Sequence, residues 1–273
     1  MTDVNRPDDP RAANRRAWEA VNALHQEAKR EAKRRFADPA HTTLDPVLLD
    51  ALHDLPVAGK ALLHTCCNDG EELISAERLG AGPCLGIDFS EPALASARDL
   101  AAAVGSRCRF RNGDVTELAP REGERFDVVM ITVGTLCWIP DLADWFGRVA
   151  AMLVDGGAVV IRELHPVALA FREDRSLDPD HHYFREGAIE YHDSLDYLGK
   201  REYDAPPTYE FQHGVGTILS ALTGAGFRLE RFGEYSEDIS NIFAHFVETG
   251  IPFPLSMLII ARKEAGNSRA AGS

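Results

Sequence analysis

From Ala61 to Glu163 the chain alternates between two hydrophobic periods. Ala61-Leu62-Leu63 is a short apolar run, and Asn68-Asp69-Gly70 is turn chemistry. Leu73, Ala76 and Leu79 then recur at helical spacing, and Gly80 and Gly82 close that helix. Cys84 to Ile87 run apolar into Asp88. Ser90-Glu91-Pro92 is a helix start, because serine caps, glutamate suits the positive helix end and proline is tolerated in the first turn. Leu94, Ala97, Leu100, Ala101 and Val104 give that helix its inward face, and Gly105 ends it. Arg107 to Arg111 predicts an edge strand, and Phe126 to Val133 is the most strand-like run in the chain. Pro140-Asp141 opens a helix carrying Leu142, Trp145, Phe146, Val149 and Leu153, and Asp155-Gly156-Gly157 predicts a turn into a fifth strand, Ala158 to Glu163. Regular strand–helix alternation predicts a parallel sheet with helices on both faces.

The flanks follow other patterns. Met1 to Pro10 is polar and predicted to be loose. Ala17, Trp18, Val21, Leu24, Ala28, Ala32 and Phe36 step by three and four, one face of a long helix from Arg11 to Phe36. Its basic residues, Lys29-Arg30 and Lys33-Arg34-Arg35, predict a solvated face, while His25 and Lys29 share a side that a cleft would face. Asp45-Pro46 starts a short helix up to Asp54. The segment 165–212 lacks a long period but is rich in aromatics, which predicts an ordered cap. Ile218, Leu219, Leu222 and Ala225 then mark a helix closed by Gly226, and two closely spaced strands follow, Phe227 to Tyr235 and Leu255 to Arg262. That ending predicts an antiparallel last strand. The expected organisation is an N-terminal helical lid over 1–44, one α/β domain over 45–263 with its cap insertion at 165–212, and a disordered tail over 264–273.

Composition narrows the function. With 29 Lys and Arg against 43 Asp and Glu, the net charge of −14 disfavours nucleic acid and anionic membranes. No apolar run approaches the roughly 20 residues that span a bilayer, and the first thirty-five residues do not resemble a signal peptide. Five cysteines without a CxxC match neither a disulfide framework nor a zinc site. Adjacent His181 and His182 beside Asp178 and Asp180 do not share a helical face, so no metal is expected. The expectation is a cytoplasmic enzyme with a small-molecule substrate, without nucleic-acid or membrane partners, a homodimer being left open.

The strand–turn–helix–strand from Lys60 to Ser90 places an adenosine-type cofactor over its first turn, with Asp88 at the second strand's end on the ribose. Several stretches carry a family resemblance: LLHTCCNDGEELISAERLGA, GIDFSEPALASAR, GTLCWIPDL, DGGAVVIRELHP and AGFRLERFGEY. Their order and spacing, from Asn14 to Lys263, resemble the class I S-adenosylmethionine-dependent methyltransferases, and more closely a bacterial small-molecule branch. The resemblance implies a Rossmann-like, seven-stranded, mostly parallel sheet with an antiparallel last strand, and S-adenosylmethionine as cofactor. The family loop, acidic-x-Gly-x-Gly-x-Gly, is matched here by His64, Cys66, Asn68 and Gly70, so only the last glycine is kept and the acidic contact to the methionine end is lost. Asp88, with Phe89 beside it, corresponds to the ribose carboxylate; Asp114 corresponds to the acceptor of the adenine amino group, with Val115 packing on the ring. Thr132 to Thr135 border the methyl-transfer point.

Instead of the Asn/Asp-Pro-Pro-aromatic motif of many amino-methyltransferases, the chain has Thr132-Val133-Gly134-Thr135 there, which favours a small-molecule acceptor. Where the acceptor must lose a proton, the candidate bases are His165, Glu163 and His213. Tyr183, Tyr191, Tyr197, Tyr203 and Tyr209 are expected to wall a substrate pocket. Two alternatives share the same cofactor unit: a nicotinamide-dependent oxidoreductase, and a protein that binds S-adenosylmethionine without transferring methyl. The missing GxGxxG and the helix-then-two-strands ending count against the first.

Overall fold

The structure, a computed structural model, describes residues 9–28, 30–192, 206–240 and 242–266, with side chains described outside 22–32. Helices α1 (Pro10–Ala28), α2 (Arg30–Arg35) and α3 (Pro46–Asp54) precede the first strand, β1 (Leu62–Thr65). Alternation follows: α4 (Glu71–Arg78), β2 (Cys84–Asp88), α5 (Glu91–Val104), β3 (Arg109–Asn112), β4 (Phe126–Ile131), α6 (Leu142–Met152) and β5 (Leu153–Leu164). A hairpin of β6 (Ala188–Tyr191) and β7 (Thr208–Phe211) leads to α7 (Val215–Gly224), β8 (Phe227–Tyr235), α8 (Ala244–Val247) and β9 (Ser256–Lys263). Lys29, the side chain of His25, and the tyrosines Tyr197 and Tyr203 lie outside the described residues.

Among the described residues seven strands form one sheet in the order β3-β2-β1-β4-β5-β9-β8. β1 to β5 are mutually parallel, and β9 runs antiparallel to both β5 and β8, which leaves β8 parallel to the rest. The period of two divides the core. Leu63, Val129, Ile131, Val159 and Ile161 face α6 and α7, where Trp145, Phe146 and Leu222 pack. Leu62, Val128, Met130 and Val160 face the opposite side, with Leu48, Leu73 and Leu100 of α3, α4 and α5. Caps match the local sequence: Asp45 accepts from Val47 and Leu48 N–H at α3, and Ser90 accepts from Ala93 N–H at α5.

Two expectations need correction. Asp155-Gly156-Gly157 lies within β5, not before it, and the β4–β5 register shifts between Phe126 and Val128. A glycine is required there, because a Cβ on Gly157 would sit 2.9 Å from the Val154 carbonyl oxygen. The last two strands are also not closely spaced, since α8 intervenes. Phe243, Phe246 and Leu255 from that connection pack on Ala168 and Phe171, a small core under the segment that follows β5.

Candidate functional site

The carboxyl ends of β1, β2 and β4 converge on the loop 66–70. Cys66, Asn68 and Gly70 have φ of 52°, 47° and 76°, so left-handed backbone falls at the three positions matched to the family glycines. The turn therefore keeps its shape although two of those glycines are replaced. Gly70 is irreplaceable on a second count: a Cβ there would lie 2.6 Å from the Phe110 ring.

Asp88, 8% exposed at the end of β2, accepts from Asn68 N–H through Oδ2 at 2.9 Å and from Ser90 N–H through Oδ1 at 2.9 Å. Each oxygen keeps a further lone pair, so the carboxylate can still receive two hydroxyls. Burial raises its pKa, and the backbone donors oppose that rise. Asp114 is more committed: Oδ1 accepts from Thr116 N–H and Oγ–H at 2.8 and 2.6 Å, and Oδ2 lies 3.7 Å from Arg11. Val115 is buried in the α6–α7 core, where its carbonyl accepts from the Trp145 indole at 2.9 Å. Phe89 lies beneath the Arg15 guanidinium, 5.9 Å from ring centre to Cζ.

His64 is fully buried, and desolvation pushes its pKa down to about 3. The Thr132 hydroxyl donates to Glu72 Oε2 at 2.9 Å and lies 2.9 Å from His64 Nε2, so that nitrogen carries the proton and donates. Nδ1 is left as a buried acceptor without a partner, as is Thr65 Oγ1 one residue on. Burial raises the thiol pKa of Cys66, Cys67 and Cys137 well above its ordinary value, which disfavours the thiolate at these three.

The three candidate bases separate clearly. Glu163 is buried, and its oxygens accept from the N–H groups of Thr135, Leu136 and Leu164 at 2.7, 3.0 and 2.8 Å. It holds the loop after β4 to the end of β5; burial raises its pKa. At His165, Nδ1 accepts from Val167 N–H at 3.2 Å while Nε2 donates to Glu234 Oε1 at 2.9 Å. With both ring nitrogens engaged, His165 has no lone pair left for an acceptor's proton, and the expectation that it acts as a base is withdrawn; Glu163 is turned onto three backbone donors and braces the loop after β4. His213 differs. Its Nε2 donates to the Ile139 carbonyl at 2.7 Å, which fixes the tautomer and leaves Nδ1 with a lone pair. Burial lowers its pKa, so the ring is neutral at pH 7.

Helix α1 crosses this edge. Asn14, 4% exposed, grips β7 in both directions, donating to the Tyr209 carbonyl at 2.8 Å and accepting from its N–H at 2.7 Å. Trp18 meets Trp138 edge-on at 5.8 Å, and Arg11 pairs with Glu117 at 3.1 Å. The basic stretch is not wholly solvated, because Lys33 of α2 is 3.5 Å from Asp69 in the 66–70 loop. In the insertion, the Tyr183 hydroxyl accepts from Val215 N–H at 2.9 Å, and His181 pairs with Asp178 at 2.7 Å and stacks on Tyr191. Asp180 and His182 are exposed, and among the described residues no group of three or more His, Cys, Asp or Glu is placed to hold a metal. Nor is any described helix long and apolar enough to cross a membrane.

Sequence reasoning missed Asn14, Glu72 and Arg162. Arg162 carried a signal: it is a charge within the apolar run Ala158 to Leu164, on the face shared by Leu62, His64, Met130 and Val160.

Residues 62–157 match a protein-family model described as a methyltransferase domain. A solved S-adenosylmethionine-dependent methyltransferase from Mesorhizobium loti is similar at 27% identity, covering 78% of this chain and 96% of that one, with a TM-score of 0.60. Residues 62–157 form a methyltransferase domain, within the fold of the S-adenosylmethionine-dependent methyltransferases. Magnesium protoporphyrin IX methyltransferase from Synechocystis, solved with bound S-adenosylhomocysteine, shares the fold at 16% identity, covering 94% of this chain and all of that one, TM-score 0.59. So does the [4+2]-cyclase SpnF, at 16% identity over 95% of this chain and 98% of that one, TM-score 0.58. A comparison with curated protein sequences finds no match. The strand order, with antiparallel β9 between β5 and β8, also separates this methyltransferase domain from the nicotinamide-binding arrangement, in which the six strands are mostly parallel.

The residues present suit the cofactor. A buried carboxylate with spare lone pairs closes β2, three left-handed residues shape the loop beside it, and two buried polar atoms at the end of β1 have no protein partner.

Proposed function

We propose that the chain methylates a small-molecule acceptor, an O-, N- or C-methylation in a biosynthetic route, with α1 as a lid and residues 165–212 as a cap. Asp88 receives the ribose hydroxyls, the 66–70 loop holds the methionine end, and Asp114 with Val115 borders the adenine. The cofactor supplies a methyl group already activated on a sulfonium, so the protein's task is to orient the acceptor and remove its proton. His213 does the second: neutral, with its tautomer set by Ile139, it takes the acceptor's proton on Nδ1 as the new bond to methyl forms. Glu163 positions the loop after β4 that His213 leans on.

The observation that carries this reading is the covered edge. Asn14 clamps α1 to β7, and Trp18 meets Trp138 edge-on in the loop after β4. A covered cleft in a chain of net charge −14 admits a small molecule and disfavours a polyanion. The test incubates the protein with methyl-labelled S-adenosylmethionine and a bacterial extract. Label in the small-molecule fraction supports the proposal; label confined to protein or nucleic acid, or none transferred, contradicts it.

A further inference from the structure

On the α3–α5 side of the sheet, beside the end of β4, lies a cavity of about 280 Å³ whose walls include Asp45, Glu72, Thr132, Arg162 and Glu237. Arg162 is the unusual member. It is 1% exposed, its Nε donates to both oxygens of Asp45 at 3.1 and 3.2 Å, and its Nη1 donates to the Met257 carbonyl at 3.4 Å. The guanidinium lies on the Tyr235 ring, with Cζ 5.0 Å from the ring centre. Nη2 is buried without any partner. An unmatched charged donor of this kind is costly to bury, and a retained one points to a ligand oxygen. Asp45 does not satisfy the arginine fully, because the same carboxylate also caps α3.

The remaining charge around the cavity has the opposite sign. Glu72, with a side chain 30% exposed, is steadied by the Thr132 hydroxyl, and Glu237 and Asp238 line the cavity from the segment after β8. A simple carboxylate ligand would satisfy Nη2 but meet the carboxylates of Glu72, Glu237 and Asp238. A simple amine would suit the carboxylates and leave Nη2 unmatched. A group carrying both charges on neighbouring atoms answers both demands.

We propose that this cavity binds the zwitterionic head of an α-amino acid, its carboxylate at Arg162 and its ammonium at Glu72. Two sources share that chemistry: the methionine end of the cofactor, and an amino-acid-type acceptor. The inference rests on S-adenosylmethionine being the cofactor, and its test keeps the two apart. Calorimetry compares S-adenosylhomocysteine with 5′-methylthioadenosine, which lacks the amino-acid head, in wild type, Glu72→Gln and Arg162→Lys. Lysine retains a cation beside Asp45, and Glu72→Gln changes a partly exposed side chain without altering its size, so a folded variant is available.

If the cofactor's own head occupies the cavity, both variants weaken S-adenosylhomocysteine about tenfold or more and leave 5′-methylthioadenosine unchanged. If an acceptor occupies it, the preference between the two nucleosides is kept. L-Methionine or L-tyrosine then binds the S-adenosylhomocysteine-saturated protein, and Glu72→Gln abolishes that binding. Kept preference with no amino-acid binding overturns the proposal. Failure of wild type to bind either nucleoside overturns the cofactor assignment itself, and this inference with it.

Discussion

His64 and His213 are both neutral histidines made so by burial, yet they serve different ends. His64, with its pKa near 3, is locked behind Thr132 and Glu72. A histidine whose folded pKa lies below its ordinary 6.5 binds fewer protons when folded, so its stability contribution is complete above pH 6.5 and is lost as pH falls toward 3. Asp88 and Glu163, with raised values, have the opposite sign and are lost as pH rises. The comparison that isolates His64 is therefore with His64→Asn. Denaturant titrations should show wild type losing stability relative to the variant between pH 6.5 and about 4, by up to about 1.4 kcal/mol per unit. Parallel curves would show that His64 protonates freely.

For His213→Ala, single-turnover transfer to an accepted substrate should slow by about 10²-fold or more, with S-adenosylhomocysteine affinity near wild type. An unchanged rate would remove it from proton transfer. At this scale the sequence was only partly legible. The buried place of Asp88 at the end of β2 could be read because the apolar run Cys84 to Ile87 leads into it, and the shape of the 66–70 loop because cysteine and asparagine can stand where left-handed backbone is needed. His165 was misread because the group that occupies it, Glu234, is 69 residues away on a strand whose neighbours no local pattern specifies.

At the level of elements, the helix–sheet alternation was visible from Leu62 to Glu163, since the helices are amphipathic at their own period and the central strands, buried on both faces, are short apolar runs. The bulged start of β5 was not, because Asp155-Gly156-Gly157 has the composition of a turn. The contact between α1 and β7 was invisible for another reason: Asn14 and Tyr209 are 195 residues apart, and an asparagine amide that imitates a neighbouring strand has no sequence signature. That contact predicts a clear phenotype. Asn14→Ala removes two buried hydrogen bonds, about 1–3 kcal/mol. Hydrogen exchange should show lower protection in α1 and in β7 while β1 and β4 keep theirs. Unchanged protection in α1 would mean that Trp18 and Arg11 hold the helix without Asn14.

For the molecule as a whole, the order of strands decides where chemistry can occur. Parallel β1, β2 and β4 deliver their carboxyl ends to one edge, and the antiparallel β9 between β5 and β8 completes the sheet without adding a carboxyl end there. The mostly parallel sheet and its antiparallel final strand were legible from the helix-then-two-strands ending. The cavity at Arg162 was not, since it is assembled from α3, α4, β4, β5 and the segment after β8. Everything proposed here depends on Asp88 receiving the cofactor's ribose at that edge. The most direct measurement is a calorimetric titration of Asp88→Ala with S-adenosylhomocysteine, its folding checked by thermal unfolding because Asp88 also holds Asn68 and Ser90. Binding weaker by at least about tenfold is the predicted result; wild-type affinity in a folded variant would contradict it.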